Sequence, residues 1–343
     1  MQLMKKVATN PGRFSCFFSH SLMEKRAIAP KKPPKATNIM LLLAACGEED
    51  AKTTTESSEV TTETSQETAQ FPVTLTDAIG KEVTLEKTPE RIVSLIPSNT
   101  EILFGLGLND QIIGVNDNDN YPSEATEKEK VGGTEFNLEQ IIALQPDLVL
   151  AHESSLYGFG EEAIAQLETV GISVFVVKNA ETFEETYTTI EQIGQLTGKA
   201  TEAKDMIVSI QQGITDIEAK VKDLEEKSVF VVVGTEPDLY VAGQETFIDE
   251  MLDVLNVENV VPELGWPQYS AEQFVKNNAD AILVTYENDL EAISNNAAYA
   301  EMNAVKSGNV KLVDSDTTSR QGPRIVDGIE SIAEAIYPEV FNE

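Results

Sequence analysis

Asn137-Leu138-Glu139-Gln140-Ile141-Ile142 leads to Asp147-Leu148-Val149-Leu150, and 133 residues later Ser270-Ala271-Glu272-Gln273-Phe274-Val275 leads to Asp280-Ala281-Ile282-Leu283-Val284. In both copies a glutamate followed by Gln lies eight residues before an Asp that opens an apolar run. Asn and Ser cap helix starts, and an acid in the first turn faces the positive end of the helix dipole. Each copy therefore predicts a capped helix, a turn and a buried parallel strand.

This repeat indicates two related α/β lobes, because the rest of the chain from Phe71 onward also alternates strand and helix patterns. A hairpin is predicted around Gly80, and Ser98-Asn99-Thr100-Glu101 has the pattern of a capping box that opens a helix at 102–106. Further strands are predicted at 92–95, 112–115, 148–151, 173–177, 229–233, 239–241 and 310–313, and further helices at 161–169, 247–255 and after Pro323.

One long helix is predicted between the two series, over 200–226. Its apolar residues fall at Ala203, Ile207, Ile210, Ile214, Ile217, Val221 and Leu224, spaced alternately by four and three. At 1.5 Å per residue such a helix is about 40 Å long. The same spacing also fits a coiled coil. Its position favours a connector, so the predicted fold is α/β, with two Rossmann-like lobes of mostly parallel sheet joined by one long connecting helix.

The charge is unusual for a soluble chain of 343 residues. The first 46 residues hold eight Lys or Arg and one acid, so the remainder has 17 basic and 57 acidic residues and a formal net charge of −40. So acidic a body repels nucleic acid and anionic lipid, and we expect neither as a ligand. The alternative is that the acids serve only to keep an extracytoplasmic protein in solution.

Cys46 follows an apolar run, and Leu43-Ala44-Ala45-Cys46 matches the lipobox at which bacterial lipoproteins are cleaved and acylated. Residues 1–38 make a poor leader, which indicates a misassigned start or a frame error. We expect five segments: a lipoprotein signal cleaved before Cys46 (1–46), a disordered Thr/Ser/Glu tether (47–70), an N-terminal α/β lobe (71–198), the bridging helix (199–227) and a C-terminal α/β lobe (228–343).

Enzymatic motifs are scarce in this sequence. We find no Gly-x-Ser-x-Gly elbow, Walker loop or full dinucleotide fingerprint, and one histidine, His152, follows the predicted leader. His152 ends a predicted strand and could line a ligand cleft, because open α/β sheets bind ligands beyond the carboxyl ends of their strands. The interpretation we favour for a lone histidine is a solvated loop residue. We expect no catalytic residue and no bound metal.

Three other places could contact a ligand. Asn116-Asp117-Asn118-Asp119-Asn120 is interpreted as a polar loop rather than a calcium site, since Tyr121 and Pro122 stand where a calcium loop needs other residues. Trp266, the only tryptophan, lies between Gly265 and Pro267, so it is either a loop side chain that contacts a large flat ligand or a core residue. Arg320 and Arg324 could meet an anionic ligand or pair with nearby acids.

These pieces together resemble the substrate-binding proteins of ABC importers for cobalamin, iron siderophores and haem. The resemblance covers about residues 71–343. Its segments are Pro89-Glu90-Arg91-Ile92-Val93-Ser94-Leu95 with Asn99-Thr100-Glu101, Tyr121-Pro122, Val131-Gly132-Gly133, Asn137-Leu138-Glu139 to Pro146-Asp147-Leu148-Val149, Trp266-Pro267-Gln268 with Ser270-Ala271-Glu272-Gln273, and Gly322-Pro323-Arg324.

The resemblance implies that Glu139 and Glu272 dock into arginine pockets of the two permease subunits; the alternative is that both only favour their helix dipoles, worth about 0.3 to 1 kcal/mol each. Trp266-Pro267-Gln268 is similar to the second-lobe cleft segment of the cobalamin-binding members. The candidate ligand-binding residues are therefore Trp266, Tyr121, His152, Tyr240 and Arg324, with Tyr157 a further candidate. The chain departs from the cobalamin-binding members at Asn118, Gly133 and His152, near or at positions where they have aromatic residues. A siderophore or haem therefore stays open as the ligand.

We therefore expect a non-enzymatic receptor, lipid-anchored through Cys46 on the extracytoplasmic face of the cell membrane. It would capture a metal chelate, cobalamin or a ferric siderophore, with haem as the alternative. Its expected partners are the ABC permease dimer with its ATPase, and it would act as a monomer without a resident cofactor. A helical connector should limit closure of the lobes. The rival interpretations are an extracytoplasmic hydrolase or chelatase on a similar fold, and a surface adhesin.

Overall fold

The structure is a computed structural model that describes residues 71–341, apart from the side chains of residues 157–159. The predicted leader, the predicted lipidation site Cys46 and the predicted tether lie outside the described residues. Within residues 71–341, no helix is long and apolar enough to cross a membrane.

The N-terminal lobe combines a hairpin with a parallel sheet. Its strands are β1 (Val73–Thr76), β2 (Glu82–Leu85), β3 (Ile92–Ser94), β4 (Ile112–Gly114), β5 (Leu148–His152) and β6 (Ser173–Val177). Strands β1 and β2 pair antiparallel, as predicted, and the other four form a parallel sheet in the order β4-β3-β5-β6. Its helices are α1 (Pro97–Gly105), α2 (Leu138–Leu144), α3 (Leu156–Thr169) and α4 (Phe183–Leu196).

Helix α5 (Ala200–Val221) connects the two lobes. The six predicted apolar positions that lie within the helix are buried, and they belong to one hydrophobic core with residues of both sheets, such as Leu148 and Leu283. The coiled-coil alternative is therefore wrong, because the stripe is covered by the chain's own core. The prediction that the helix reaches residue 226 is also wrong: it ends at Val221, where a tight turn, Leu224 N to Val221 O at 2.9 Å, redirects the chain into the next strand.

The C-terminal lobe is built on a mixed sheet. Its strands are β7 (Lys227–Gly234), β8 (Leu239–Val241), β9 (Val257–Asn259), β10 (Gln268–Tyr269), β11 (Ala281–Val284) and β12 (Val310–Leu312). The order is β10-β8-β7-β11-β12, with β9 also paired to β7; β7, β9, β11 and β12 are parallel, and β8 is antiparallel to β7 and β10. Its helices are α6 (Phe247–Val254), α7 (Ala271–Asn277), α8 (Glu287–Ser294), α9 (Asn303–Ser307), α10 (Ser315–Ser319), α11 (Ile325–Ile336) and α12 (Pro338–Phe341).

Two glycines let helices of both lobes approach α5 closely. A Cβ added at Gly194 of α4 would lie 2.5 Å from the Cβ of Ala203 in α5, and one added at Gly213 of α5 would lie 2.7 Å from Cγ2 of Val326 in α11. Both distances are far inside van der Waals contact, so any larger side chain would push the helices apart. Helix α5 is therefore packed tightly against each lobe.

The repeat read from the sequence is confirmed in the geometry of the helix starts. The side chain of Asn137 accepts a hydrogen bond from the Gln140 N–H (3.1 Å) at the start of α2, and that of Ser270 accepts one from the Gln273 N–H (3.2 Å) at the start of α7. In each copy the helix is followed by a parallel strand, β5 or β11. The two lobes therefore use the same capped unit.

The repeated aspartates also play the same part in both lobes. Asp147 Oδ2 accepts hydrogen bonds from the N–H groups of Glu90 (2.9 Å) and Arg91 (3.1 Å), which lead into β3. Asp280 Oδ2 accepts one from the N–H of Ser228 (3.0 Å), in β7. Each Asp thus ties the start of its own strand to the start of the neighbouring parallel strand.

The predicted capping box at residues 98–101 is wrong. Helix α1 starts earlier, at Pro97, because proline in the first helical position has its backbone angle already set and lacks an N–H that would need a partner. The four residues lie inside the first turns and are buried. Their polar groups bond elsewhere: Asn99 Nδ2 donates to Ala151 O (3.1 Å), and Glu101 reaches the C-terminal lobe.

Candidate ligand-binding site

The loops that follow the carboxyl ends of the parallel strands form the candidate site, because this is where open α/β sheets bind ligands. In the N-terminal lobe these are residues 115–121 after β4 and 153–155 after β5. In the C-terminal lobe they are residues 235–238 after β7, 285–286 after β11 and 313–324 around α10 after β12. Polar and aromatic side chains dominate all of them.

A buried ion pair joins the two lobes at this edge. Glu101 of α1 has a side chain that is 1% exposed. Its carboxylate accepts hydrogen bonds from Nε (2.8 Å) and Nη2 (2.6 Å) of Arg324 and from Nη1 of Arg320 (2.8 Å). Two guanidinium groups of the C-terminal lobe therefore share one carboxylate of the N-terminal lobe.

The loop after β4 completes this cluster. Arg320 also donates to Asn120 Oδ1 (2.8 Å) and, more weakly, to the carbonyl of Asn118 (3.4 Å), and it pairs with Asp316 (2.8 Å). Asn120 Nδ2 donates to the other Asp316 oxygen (2.8 Å). We call these residues, Glu101, Asn118, Asn120, Asp316, Arg320 and Arg324, the inter-lobe cluster.

Arg324 and Tyr121, both predicted to contact the ligand, are neighbours in the structure. The guanidinium carbon of Arg324 lies 4.1 Å from the centroid of the Tyr121 ring, a distance typical of cation–π contacts. Burial opposes the charge of Arg324, but the hydrogen bonds and charge of Glu101 outweigh it and hold the pKa of the guanidinium above its usual value. Of the two possibilities for Arg324, pairing with an acid is the one the structure shows, and its ligand contact stays a prediction.

Asp119 is a buried acid at the same edge that the sequence analysis did not single out. It is 2% exposed, and Oδ2 accepts hydrogen bonds from the Thr100 hydroxyl (2.7 Å) and the Asn116 N–H (2.9 Å). Its Oδ1 has no partner among the described residues. Burial raises the pKa of Asp119 to about 6, although both hydrogen bonds lower it. Lys130 Nζ donates to the carbonyl of Asp119 (2.8 Å) and helps to hold the loop.

The interpretation of His152 as a solvated loop residue is wrong. It is the last residue of β5 and is 3% exposed, because the strand continues one residue further than predicted. Its Nδ1 accepts a hydrogen bond from the Ser154 N–H (3.2 Å) and lies 2.8 Å from Ser154 Oγ. Burial lowers the pKa of His152 to about 4, so the ring is neutral at physiological pH. Its contact with a ligand stays a prediction.

Trp266 and Tyr240 share one face of the C-terminal sheet. Tyr240 lies opposite Gln268, and the ladder continues through Val241 N to Pro267 O (3.2 Å) and Gly243 N to Gly265 O (2.7 Å). Alternation along the strands then puts Trp266 and Tyr240 on the same side. Trp266 is partly buried against the main hydrophobic core, and Tyr240 is half-buried. The core alternative for Trp266 has this packing in its favour, and the ligand contacts of both residues stay predictions.

Tyr286 is an aromatic residue at this edge that the sequence analysis missed. It follows β11 by two residues and is 50% exposed, close to the 46% of Tyr121 after β4. The signal available in the sequence was its position just beyond a buried apolar run. The two loops therefore carry one half-exposed tyrosine in each lobe. The side chain of Tyr157, the further candidate, is not among those described.

Glu139 and Glu272 are both exposed, in the first turns of α2 and α7. Hydrogen bonds from Asn137 N to Val131 O (2.9 Å) and from Val131 N to Val115 O (3.0 Å) hold the start of α2 beside the end of β4. Helix α7 follows β10. Gln268 of β10 pairs with Tyr240 of β8, and Tyr240 pairs with Gly234, the last residue of β7. Each glutamate therefore lies at the carboxyl edge of its own sheet.

A polar groove of about 590 Å³ lies beside Glu272 in the C-terminal lobe. Residues of the loop after β7 and of the start of α7 form much of its lining, including Thr235, Asp238, Ser270 and Gln273. No group of three or more His, Cys, Asp or Glu in the part of the chain that the structure describes is arranged to hold a metal ion.

The sequence relatives and the solved structures that this chain resembles are binding proteins of the same kind. The family model of periplasmic binding proteins matches residues 92–317. An uncharacterized ABC transporter substrate-binding lipoprotein of Bacillus subtilis is 42% identical over 307 residues, 88% of this chain and 95% of that protein. A cobalamin-binding protein of Halobacterium salinarum is 28% identical over 282 residues, 78% of this chain and 74% of that protein. A crystal structure of a possible iron-binding protein from Staphylococcus epidermidis has 36% identity and a TM-score of 0.68, covering 73% of this chain and all of that one.

Proposed function

The chain belongs to the periplasmic binding protein family and is a substrate-binding protein of an ABC transporter, and we propose that its substrate is a metal chelate, cobalamin or a ferric siderophore. The chelate is captured between the lobes and handed to the permease. Lipid attachment at Cys46 holds the protein on the extracytoplasmic face of the membrane. The name of the Bacillus relative, a lipoprotein, supports this anchor.

The observation that carries the proposal is the pair of half-exposed tyrosines, Tyr121 and Tyr286, one at the carboxyl edge of each lobe's sheet. A metal chelate is large and offers wide apolar or π surfaces, and aromatic side chains contact such surfaces over a large area at small entropic cost. A site shared by two lobes suits a ligand of that size. The cobalamin-binding and possible iron-binding relatives support the same class of substrate.

Binding without catalysis is favoured over a hydrolase. Among the described residues, the contact between Ser154 Oγ and His152 Nδ1 is the one that could suggest a nucleophile and its base. However, the Ser154 N–H donates to the same Nδ1, which makes the contact a local turn. A histidine with a pKa of about 4 is also a weak base at neutral pH.

Titration of the one tryptophan, Trp266, tests the substrate. We expect saturable quenching of its fluorescence by cyanocobalamin or by a ferric trihydroxamate, with haem as the comparison. Saturable binding of haem alone would move the protein to the haem-binding group of the same class. Failure of all three chelates to bind, in quenching and in calorimetry, would contradict the proposal.

Delivery is proposed to use Glu139 and Glu272 as contacts with basic pockets of the two permease subunits. Their exposure, and their matching positions at the carboxyl edges of the two sheets, support this role. Replacing both with Lys should abolish uptake of the chelate into cells while its affinity in solution is unchanged. The matched control is Glu218→Lys, an exposed acid on α5. A parallel loss of affinity and uptake would remove the docking role.

A further inference from the structure

The cations at the candidate site are few. Among residues 71–341 the arginines are Arg91, Arg320 and Arg324. Arg91 precedes β3 and donates to the carbonyls of Leu144 and Gln145, so it lies at the edge opposite the site. The lysines on the segments that follow the parallel strands of the N-terminal lobe are Lys128 and Lys130 after β4 and Lys178 after β6; those after β7, β11 and β12 carry none.

Each of these side chains is already engaged by groups of the protein. Lys128 Nζ donates to Asn109 O (2.6 Å), and Lys130 Nζ to loop carbonyls, the shortest bond being to Asp119 O (2.8 Å). Lys178 pairs with Glu185, which raises the pKa of the lysine. The two arginines are held by the inter-lobe cluster.

The cluster uses most of the donor capacity of the two arginines. A guanidinium has five N–H groups. Arg320 directs four bonds to Glu101, Asn120, Asn118 O and Asp316, and Arg324 meets Glu101 through two donors while Tyr121 covers one face of its guanidinium. Two positive charges face two negative ones, Glu101 and Asp316, so the cluster adds no net charge.

Acids remain on the same loops. Asp117 follows β4, Asp238 follows β7, and Glu287 opens α8 after β11; all three are exposed. An anion that enters between the lobes therefore meets like charges, and no cation on these loops lacks a partner group among the described residues. Like-charge contacts disfavour a wrong ligand, whereas an uncharged or cationic ligand incurs no such cost.

We infer that the site selects metal chelates without net negative charge, and that Glu101 is the residue that sets this preference. The inference rests on the proposed function and narrows its substrate class. Glu101 is decisive because it is the one carboxylate shared by both arginines, and it comes from the opposite lobe. Without its charge, the two guanidinium groups would retain donors and one uncompensated positive charge for an anionic ligand.

Matched ligand pairs test the inference. The first pair is cyanocobalamin and its monocarboxylate, in which one side-chain amide is hydrolysed to a carboxylate. The second is ferrioxamine B, which carries a free ammonium group, and its N-succinyl derivative, which carries a carboxylate instead. Whichever chelate type binds, we expect the wild-type protein to bind the member without net negative charge at least about tenfold more tightly.

In Glu101→Gln this discrimination should fall about fivefold or more, because the anionic member gains affinity from the uncompensated guanidinium charge. The matched control, Glu218→Gln on the exposed face of α5, should keep the wild-type ratio. Adding Arg324→Gln to Glu101→Gln should restore the discrimination. If Glu101→Gln does not fold, Asp316→Asn, which releases Arg320 from a half-buried carboxylate, tests the same point.

The outcomes separate the inference from the function on which it rests. Equal wild-type affinity for both members of a pair would overturn the inference and leave the chelate-binding function standing. The role of Glu101 would be overturned if folded Glu101→Gln kept the wild-type ratio of affinities for the two members of a pair. It would also be overturned if the gain in affinity for the anionic member persisted after Arg324→Gln was added. If neither pair binds to the wild-type protein, the proposed function itself fails.

Discussion

The buried histidine makes a quantitative prediction about stability and pH. The pKa of His152 is lowered from 6.5 to about 4, first because burial disfavours its charged form, while a hydrogen bond with the backbone of Lys178 acts in the opposite direction. In the unfolded chain the ring takes up a proton near pH 6.5, whereas in the folded protein it does so only near pH 4. Between these values the unfolded state binds more protons, so the free energy of unfolding must fall as the pH falls.

The size of this effect follows from the shift. Each pKa unit corresponds to about 1.36 kcal/mol, so protonation of His152 should lower the free energy of unfolding by about 3 kcal/mol between pH 7.5 and pH 4. Because its side chain is only 3% exposed, solvent should screen little of this. That is a sizeable part of the about 5–15 kcal/mol that stabilises a typical protein.

Urea denaturation of the wild-type protein and of His152→Gln at pH 7.5, 6.5, 5.5 and 4.5 measures the effect. Glutamine keeps a hydrogen-bond acceptor for the Ser154 N–H but cannot take up a proton. The difference in free energy of unfolding between the two proteins should shift by about 2 to 3 kcal/mol in favour of the variant as the pH falls. All other titrating groups are common to both proteins and cancel. A difference that is constant across this pH range would refute the buried, neutral histidine.

Three further predictions concern the same edge of the molecule. The pKa of Asp119 is raised to about 6, so its effect on stability has the opposite sign to that of His152: the free energy of unfolding falls as the pH rises from about 4 through 6. In urea denaturation, Asp119→Asn should therefore gain about 3 kcal/mol of stability relative to wild type between pH 4 and pH 8. A difference between the two proteins that does not change with pH would contradict this. Glu101→Ala leaves two largely buried guanidinium groups without their shared acid and should lower the free energy of unfolding by about 3 to 5 kcal/mol. Glu168→Ala, which breaks a partly exposed pair with Lys81, should cost at most about 1 kcal/mol, and equal effects would argue against a buried network. Trp266→Ala should weaken chelate binding by about 1 kcal/mol or more in calorimetry, and unchanged affinity with a lower unfolding midpoint would make Trp266 a core residue.

Local patterns were enough to predict the repeated unit. The caps at Asn137 and Ser270, and the buried strands after Asp147 and Asp280, depend on side chains and backbone groups a few residues apart or on strict alternation of buried positions. The apolar spacing of α5 was equally reliable, because it has a single buried face. These features allowed the fold class to be predicted from the sequence.

The errors occurred where distant groups override local preference. Residues 98–101 have the pattern of a capping box, yet their polar groups bond to β5, to Asp119 and to the C-terminal lobe. His152 looks like a loop residue, yet pairing of β5 with β6 carries it into the sheet. Helix α4 was not predicted at all, although Thr182 caps it through the Glu185 N–H.

The sequence by itself determined that the chain forms two related α/β lobes with a long helix between them, because helix caps, strand alternation and a one-sided apolar stripe act over a few residues. Only the tertiary structure decided what the arginines do: Arg320 and Arg324 meet Glu101 across 219 and 223 residues of chain. Such a pair leaves no periodic trace in a single sequence. The charge balance of the site depends on which loops the two sheets bring to the same edge. The kind of ligand that the site can bind depends on this charge balance.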